Sequence, residues 1–161
     1  PFDKMHMLTQ AQGLHWVSHH LNGGYRNEDN CLPGFNLVVI DVDGGVNLST
    51  VRMLMKDSQY LIYTTKRHTD QENRFRLILP TSHVLKLDAK DYKEFMSNIY
   101  EWLPFQVDDA TGQRARKWLS HNGHFEYNDG ALLDASATSM RSRSRSAAMR
   151  RLIRRMASSR A

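Results

Sequence analysis

Aliphatic and aromatic residues are concentrated in three short runs, and each run predicts a β-strand. Residues 36–43 (NLVVIDVD) are nearly all aliphatic, as in a strand that is buried on both faces. Residues 59–65 (QYLIYTT) and 74–79 (RFRLIL) predict the second and third strands, and Pro80 is expected to end the third. The polar stretch between them, KRHTDQEN, is shorter than the dozen or so residues that a parallel crossover needs. The second and third strands are therefore predicted to form an antiparallel hairpin.

Helical spacing of apolar residues is clearest in residues 88–103, with Asp88 as the predicted N-cap. The same spacing predicts a helix over residues 10–21, with Thr9 as N-cap, and a shorter helix over residues 46–57. The sheet is therefore expected to be flanked by helices.

The C-terminal part of the chain carries weaker signals. Residues 105–110 (FQVDDA) predict a short strand or the end of a strand, residues 114–119 a turn of helix, and residues 121–130 a loop. The element order α-β-α-β-β-α-β predicts one α+β domain over residues 1–138, with an antiparallel sheet and helices on one side. Residues 139–161 are rich in Arg and Ser and are predicted to form a basic tail, helical or disordered.

The net charge of +5 is divided unevenly along the chain. Residues 141–161 hold eight of the 22 basic residues and no acid, so the other 14 basic residues face all 17 acids, a balance of −3. This asymmetry suggests a metal or polar site in the body of the protein and an anionic partner for the tail.

The chain has no targeting or membrane signal that its sequence reveals. No run approaches the roughly 18 apolar residues of a membrane span, and the start has no secretory pattern. The single cysteine, Cys31, excludes an internal disulfide and fits a reducing compartment. We therefore expect a cytoplasmic protein that makes no membrane contact.

Two aspartates, Asp41 and Asp43, close the first predicted strand. Because side chains alternate along a strand, both lie on the same face, about 7 Å apart. Burying two ionised carboxylates is costly unless positive charge compensates them, and hard cations such as Mg²⁺ prefer carboxylate oxygens. The alternative is that the strand reaches solvent here and the two acids are ordinary exposed residues.

Further polar residues stand at the margins of the predicted strands. His68 lies in the loop after the second strand, and Arg74 and Arg76 share one face of the third. A planar guanidinium suits phosphate oxygens, although an exposed strand face would also explain the arginines. Residues 107–109 (VDD) add carboxylates after an apolar stretch. Together these residues favour metal-assisted phosphoryl chemistry.

The motifs VVIDVDGG, YTTKRH, RFRLILP and QVDDATGQRAR, in this order, resemble the archaeo-eukaryotic primase superfamily. The resemblance is strongest to the primase–polymerase catalytic domains of phages and plasmids. That family has hydrophobic-Asp-hydrophobic-Asp on a strand, a Ser/Thr loop ending in His, a strand with alternating Arg, and a later hydrophobic-Asp. The resemblance spans residues 35–118 and implies an RRM-like palm, a mainly antiparallel sheet flanked by helices.

The resemblance implies a set of metal ligands. Asp41 and Asp43 match the first two acids of the family, and Asp108 matches the third because it follows an apolar residue. Asp109 is the adjacent alternative for the third ligand. These acids would bind two Mg²⁺ or Mn²⁺ ions.

The resemblance also implies a nucleotide site. His68 matches the residue that contacts the triphosphate of the incoming nucleotide. The family commonly has Ser two residues before this His, where the present chain has Lys66. Thr64 or Thr65 would then replace that serine, or Lys66 would contact phosphate directly.

The implied function is DNA-dependent nucleotidyl transfer, with nucleoside triphosphates as substrates and single-stranded DNA as template. Arg74 and Arg76 match the family's basic strand and would help to bind the triphosphate. The acidic face repels DNA, so Arg114, Arg116 and Lys117 are candidates for holding the template, unless they form a solvated helix face. A replicative helicase, fused or separate, is a further partner that the resemblance implies, in phage or plasmid replication.

Two alternatives remain. Haloacid-dehalogenase-type phosphatases also begin with a strand ending D-x-D-G, and in that scheme Asp41 would be the nucleophile and Asp43 the acid–base. They need a parallel sheet with helical crossovers and give no role to His68 or to the arginines, so the primase interpretation is preferred. A non-catalytic nucleic-acid-binding domain would use the basic tail but would leave the acids unexplained.

Overall fold

The computed structural model describes residues 1–135, which form six β-strands and three α-helices. The strands are β1 (His15–Trp16), β2 (Phe35–Asp43), β3 (Tyr60–Thr64), β4 (Arg74–Leu85), β5 (Trp118–Leu119) and β6 (Phe125–Asn128). The helices are α1 (His6–Thr9), α2 (Leu48–Leu54) and α3 (Ala89–Trp102). Short 3₁₀ turns lie at Phe2–Lys4, Asn22–Gly24 and Asp109–Thr111. The predicted α+β class is confirmed.

Strands β2, β4, β3 and β6 form the main sheet in that spatial order, and each neighbouring pair is antiparallel. A second sheet is a two-stranded ribbon of β1 and β5. Strands β3 and β4 are thus the predicted hairpin. This topology contradicts the phosphatase scheme, which requires parallel strands with helical crossovers.

The main sheet is covered on both faces. One face packs against α2 and α3 around a core that includes Val38, Ile40 and Val42 of β2. The opposite face packs against the tryptophans of the ribbon, Trp16 and Trp118. As a result the middle of β2 is buried on both sides, as its aliphatic run predicted.

Helix α3 confirms the clearest helical pattern in the sequence. The Asp88 carboxylate accepts from the backbone N–H of Asp91 at 2.8 Å and caps the first turn. Tyr92, Met96 and Ile99 are the buried residues of the helix. Helix α2 is also confirmed but is shorter than the predicted 46–57.

The predicted helix over residues 10–21 is wrong. Helix α1 ends at Thr9, and Gly13 then adopts a φ of +76°, which takes the chain out of helical geometry. The backbone turns to a distant partner instead, because the N–H of Ser120 donates to the carbonyl of Leu14 at 2.8 Å. The apolar spacing here reflects contacts with the β5 region rather than one helix face.

Pro80 does not end the third predicted strand, since β4 continues to Leu85. Pro80 lies opposite Leu37, and the β2–β4 register shifts between Phe35 and Leu37. A proline that cannot donate a hydrogen bond is tolerated beside such an irregularity.

Three weak predictions for the C-terminal part are also wrong. Residues 105–110 are not a strand and lead into the 3₁₀ turn Asp109–Thr111. Residues 114–119 end in β5 rather than in a helical turn, and residues 121–130 contain β6. Both strands are short and gain their stability from pairing with distant segments, which local periodicity does not report.

The predicted domain boundary at residue 138 and the tail 139–161 lie outside the described residues 1–135. Within those residues, no helix has the length and apolar character needed to cross a bilayer.

Candidate active site

Each of the two strand aspartates faces an arginine at one end of the main sheet. The β2–β4 register pairs Asp41 with Arg76 and Asp43 with Arg74. Residues paired across neighbouring strands point to the same face, so the two acids and two arginines form adjacent cross-strand pairs. The sequence predicted both same-face pairs but not their register.

The Asp41–Arg76 pair is held in a partly buried environment. The Nε of Arg76 lies 3.4 Å from Oδ1 of Asp41, with side chains 14% and 18% exposed. The Arg76 guanidinium also donates to the Tyr63 hydroxyl at 3.0 Å and to the Leu119 carbonyl at 2.6 Å. It lies 5.2 Å from the ring centroid of Trp118. Arg76 is thus fixed beside Asp41 from several sides.

The Asp43–Arg74 pair is more open to solvent. Arg74 donates to Asp43 and also to Glu72, the latter at 2.9 Å. Both carboxylates are about half exposed, 52% for Asp43 and 55% for Glu72. Sequence reasoning missed Glu72, although its place two residues before Arg74 was a usable signal.

The third predicted acid reaches the same place from the end of α3. The backbone N–H of Asp108 donates to the carbonyl oxygen of Asp41 at 3.0 Å. The Asp108 carboxylate accepts from the N–H of Ala110 at 3.0 Å and opens the turn Asp109–Thr111. The structure therefore brings Asp108 beside Asp41, with Asp109 exposed in the adjoining turn.

The charges of these residues act on one another. The pKa of Asp41 is raised, mainly because burial disfavours its charged form. The cations of Arg76 and Arg116 oppose this shift, whereas the carboxylates of Asp108 and Asp43 add to it. Asp41 is thus a partly buried carboxylate whose charge is influenced both by nearby arginines and by two further carboxylates.

The carboxylate oxygens of Asp41, Asp43 and Asp108 are the donors that Mg²⁺ and Mn²⁺ take. Their positions do not by themselves form a metal site, because residues 1–135 contain no group of three or more His, Cys, Asp or Glu arranged to ligate a metal ion. The compensation that the sequence led us to expect from a cation is supplied here by Arg74 and Arg76. The donor chemistry therefore fits a divalent cation, while neutralisation alone does not single one out.

His68 has a defined orientation. Its Nδ1 accepts from the backbone N–H of Arg74 at 3.1 Å. A ring nitrogen that accepts carries no proton, so the proton of the half-buried imidazole is on Nε2. His68 therefore presents Nε2–H as a donor.

The loop that carries His68 is tied to the start of β4. The N–H of His68 donates to the Thr65 carbonyl, and the N–H of Thr65 donates to the Arg74 carbonyl, both at 3.0 Å. Lys66 is exposed in the same turn. The structure thus places the predicted nucleotide-binding residues Thr65, Lys66, His68 and Arg74 in one segment next to Asp43.

The three residues predicted to hold the template differ in burial and in their contacts. Arg114 is buried and donates to the carbonyls of Glu28 and Leu87, so it is a structural residue rather than a DNA contact. Arg116 lies over the Trp118 ring at 5.5 Å, and Lys117 is exposed. Arg116 and Lys117 remain candidates for contact with DNA.

Comparison with known proteins identifies a family and a similar fold. The sequence profile of the VapE N-terminal domain family matches residues 11–143. The structure is similar to the AEP domain of the cyanophage S-2L primase–polymerase, with a TM-score of 0.52 and 12% sequence identity. That match covers 79% of this chain and 68% of the phage chain. No curated protein sequence matches this chain significantly. The fold is therefore that of a primase–polymerase catalytic domain, as the order of motifs predicted.

Proposed function

The chain belongs to the VapE N-terminal domain family, and from this membership and the geometry of the acidic site we propose that it is a DNA-dependent nucleotidyltransferase. It would join nucleotides on a single-stranded DNA template as a primase or polymerase. One observation carries the proposal: the hydrogen bond from Asp108 N–H to the Asp41 carbonyl, 3.0 Å long. This bond holds Asp108 beside β2, the strand that carries Asp41 and Asp43. The likeness of the fold to a cyanophage primase–polymerase domain supports the same function.

The carboxylates of Asp41, Asp43 and Asp108 would hold two divalent cations, Mg²⁺ or Mn²⁺. Such ions would lower the pKa of the attacking 3′-hydroxyl and stabilise charge on the departing pyrophosphate. The geometry that supports this assignment is the partly buried Asp41 with Asp108 held beside it by a backbone hydrogen bond.

The triphosphate of the incoming nucleotide would be held by the segment that follows β3. His68 offers Nε2–H to a phosphate oxygen, and its orientation is fixed in advance by the backbone of Arg74. Lys66 and Thr65 stand in the same turn. We assign phosphate binding to Arg74 and not to Arg76, because the Arg76 guanidinium is also held by the Tyr63 hydroxyl and the Leu119 carbonyl, whereas the partners of Arg74 are two carboxylates open to solvent. Arg76 is then a positioning residue that acts through Asp41.

The proposal is tested by incubating the purified chain with single-stranded DNA, labelled nucleoside triphosphates and Mg²⁺ or Mn²⁺. We expect labelled products whose sequence follows the template and whose formation stops when EDTA is added. Binding of single-stranded DNA without nucleotide addition would instead establish the non-catalytic alternative. Phosphate release from a generic phosphomonoester, assayed in parallel, would contradict the proposal.

The biological setting is part of the same proposal. The cyanophage origin of the similar structure supports a role in phage or plasmid replication in the host cytoplasm. A replicative helicase, fused or separate, would be the partner that unwinds the duplex and exposes the single-stranded template. Co-purification of the chain with a replicative helicase from the same phage or plasmid would test this.

A further inference from the structure

The guanidinium of Arg74 lies between two acids that are themselves open to solvent. It donates to Asp43 and, at 2.9 Å, to Glu72. The Arg74 side chain is 14% exposed, whereas each carboxylate is more than half exposed. Solvent therefore reaches this cluster mainly from the side of the carboxylates.

Glu72 is held in position by its own surroundings. A Cβ added at Gly44 would lie 2.8 Å from Oε1 of Glu72, so the carboxylate packs against a residue without a side chain. The N–H of Glu72 donates to Oγ1 of Thr69 at 2.9 Å, and the N–H of Gly44 donates to the Asn73 carbonyl at 3.2 Å. The position of Glu72 beside Arg74 is thus built into the loop.

The two arginines of β4 differ in what holds them. Arg76 is fixed by a hydroxyl, a carbonyl and a tryptophan ring in addition to Asp41. Arg74 is held by the carboxylates of Asp43 and Glu72. A carboxylate engages a guanidinium in the same way as a phosphate group does, through oxygens that accept from its N–H donors. Arg74 is therefore occupied by groups that a phosphate can replace.

We propose that Asp43 and Glu72 occupy Arg74 in place of the phosphate oxygens of an incoming triphosphate, and that Glu72 thereby sets the affinity for triphosphate. This inference rests on the proposed function and concerns the same site. When triphosphate binds, the Arg74 guanidinium exchanges its carboxylate partners for phosphate oxygens. Asp43 is then released to ligate a cation, so triphosphate and cation favour each other's binding.

The test measures binding of inorganic tripolyphosphate by calorimetry, in EDTA and without DNA. Neutralising one partner of an exposed ion pair should free Arg74 in part, so Glu72→Gln should bind tripolyphosphate about two to five times more tightly than the wild type. Asp70→Asn is the matched control, since it removes the same charge from the same exposed loop. We expect Asp70→Asn to give a smaller gain. The double variant Glu72→Gln/Arg74→Gln should lose the gain entirely.

Two results would overturn the inference: a gain in Glu72→Gln no larger than that in Asp70→Asn, or a gain that persists without Arg74. Should Glu72→Gln fail to fold, Asp43→Asn removes the other competing carboxylate and must show the same gain. The assay needs no nucleotide transfer. A chain that shows the gain but extends no primer contradicts the proposed function alone, and one that extends primers without the gain contradicts this inference alone.

Discussion

The backbone N–H of Asp108 donates to the carbonyl oxygen of Asp41 across 3.0 Å. This bond joins the segment after α3 to the outer edge of β2, a strand that precedes it by two helices and two strands. Because the bond is made by backbone atoms, the neighbourhood of the two acids does not depend on their side chains. Substitution of either carboxylate should therefore leave the arrangement of the segments intact.

Asp43→Asn is expected to lower nucleotide addition by a hundredfold or more, on the order of what a lost transition-state contact causes. The melting temperature should change little, because the Asp43 carboxylate is half exposed. Primer extension and thermal unfolding of the same preparation check both statements. Asp70→Asn, in the exposed loop, should retain activity; wild-type rates in Asp43→Asn would refute the metal assignment.

Asp41→Asn should abolish activity as well, without a clear loss of stability. Burial is the largest cause that raises the pKa of Asp41, and Arg76 only partly opposes it, so the folded state favours an uncharged side chain here. Asn is uncharged and close in size to Asp, so it removes the cost of burying a charge while it gives up the ion pair with Arg76. Urea denaturation measures the difference. A free energy of unfolding lowered by about 3 kcal/mol or more, as when a buried pair is broken, would contradict this expectation.

His68 variants separate its two nitrogens. His68→Asn keeps an acceptor for the Arg74 N–H and loses the Nε2 donor, so we expect the KM for nucleotide to rise about tenfold or more with the loop intact. His68→Gln retains a donor near the Nε2 position and should restore part of the affinity. Steady-state kinetics with varied nucleotide decide this. Equal KM values for wild type and His68→Asn would remove His68 from the nucleotide site.

Stability should fall in mild acid because of His19. Burial is the largest cause that lowers the pKa of His19 to about 4, with Arg114 adding to the shift. Between the unfolded value of about 6.5 and the folded value of about 4, the unfolded chain takes up a proton that the folded chain rejects. The stabilisation is therefore complete above pH 6.5 and is lost as pH falls towards 4, up to about 3 kcal/mol.

The measurement for His19 is the free energy of unfolding in urea between pH 7 and pH 4.5. The His19 ring packs 4.7 Å from Phe35 and 5.0 Å from Tyr92, so His19→Phe keeps an aromatic ring there and should flatten the profile. His20→Gln, at the exposed neighbouring position, should keep the wild-type slope. Parallel profiles for wild type and His19→Phe would show that other groups cause the acid sensitivity.

Gly130 is expected to resist substitution. A Cβ there would lie 2.7 Å from the backbone carbon of Ser58 and 2.8 Å from the carbonyl oxygen of Asp57. Gly130→Ala should therefore lower the free energy of unfolding by about 1–3 kcal/mol, since backbone atoms must shift. Gly112→Ala is the control, because its nearest neighbour would be 3.7 Å away. Urea midpoints for the two variants test the contrast.

Local patterns in the sequence predicted the parts of the site that lie within single elements. Alternation along a strand predicted that Asp41 and Asp43 share one face of their strand and that Arg74 and Arg76 share one face of theirs. This prediction did not depend on which strands pair with one another. The pairing of Asp41 with Arg76 depends on the register of β2 and β4, which are separated in sequence by a helix and a strand. The periodicity within each strand contains no information on that register. The same limit explains why the predicted N-terminal helix is wrong, because residues in that segment pair with β5 rather than with one another.

The Nδ1 of His68 is held by the main chain of Arg74, the residue whose side chain faces the acids. The backbone at Arg74 thus orients both the imidazole and the guanidinium, and the loop KRHTDQEN sets the distance between them. Insertion or deletion of even one residue in this loop would rotate the histidine away while the arginine stayed on its strand. Among related proteins the length of this loop should consequently vary far less than its composition.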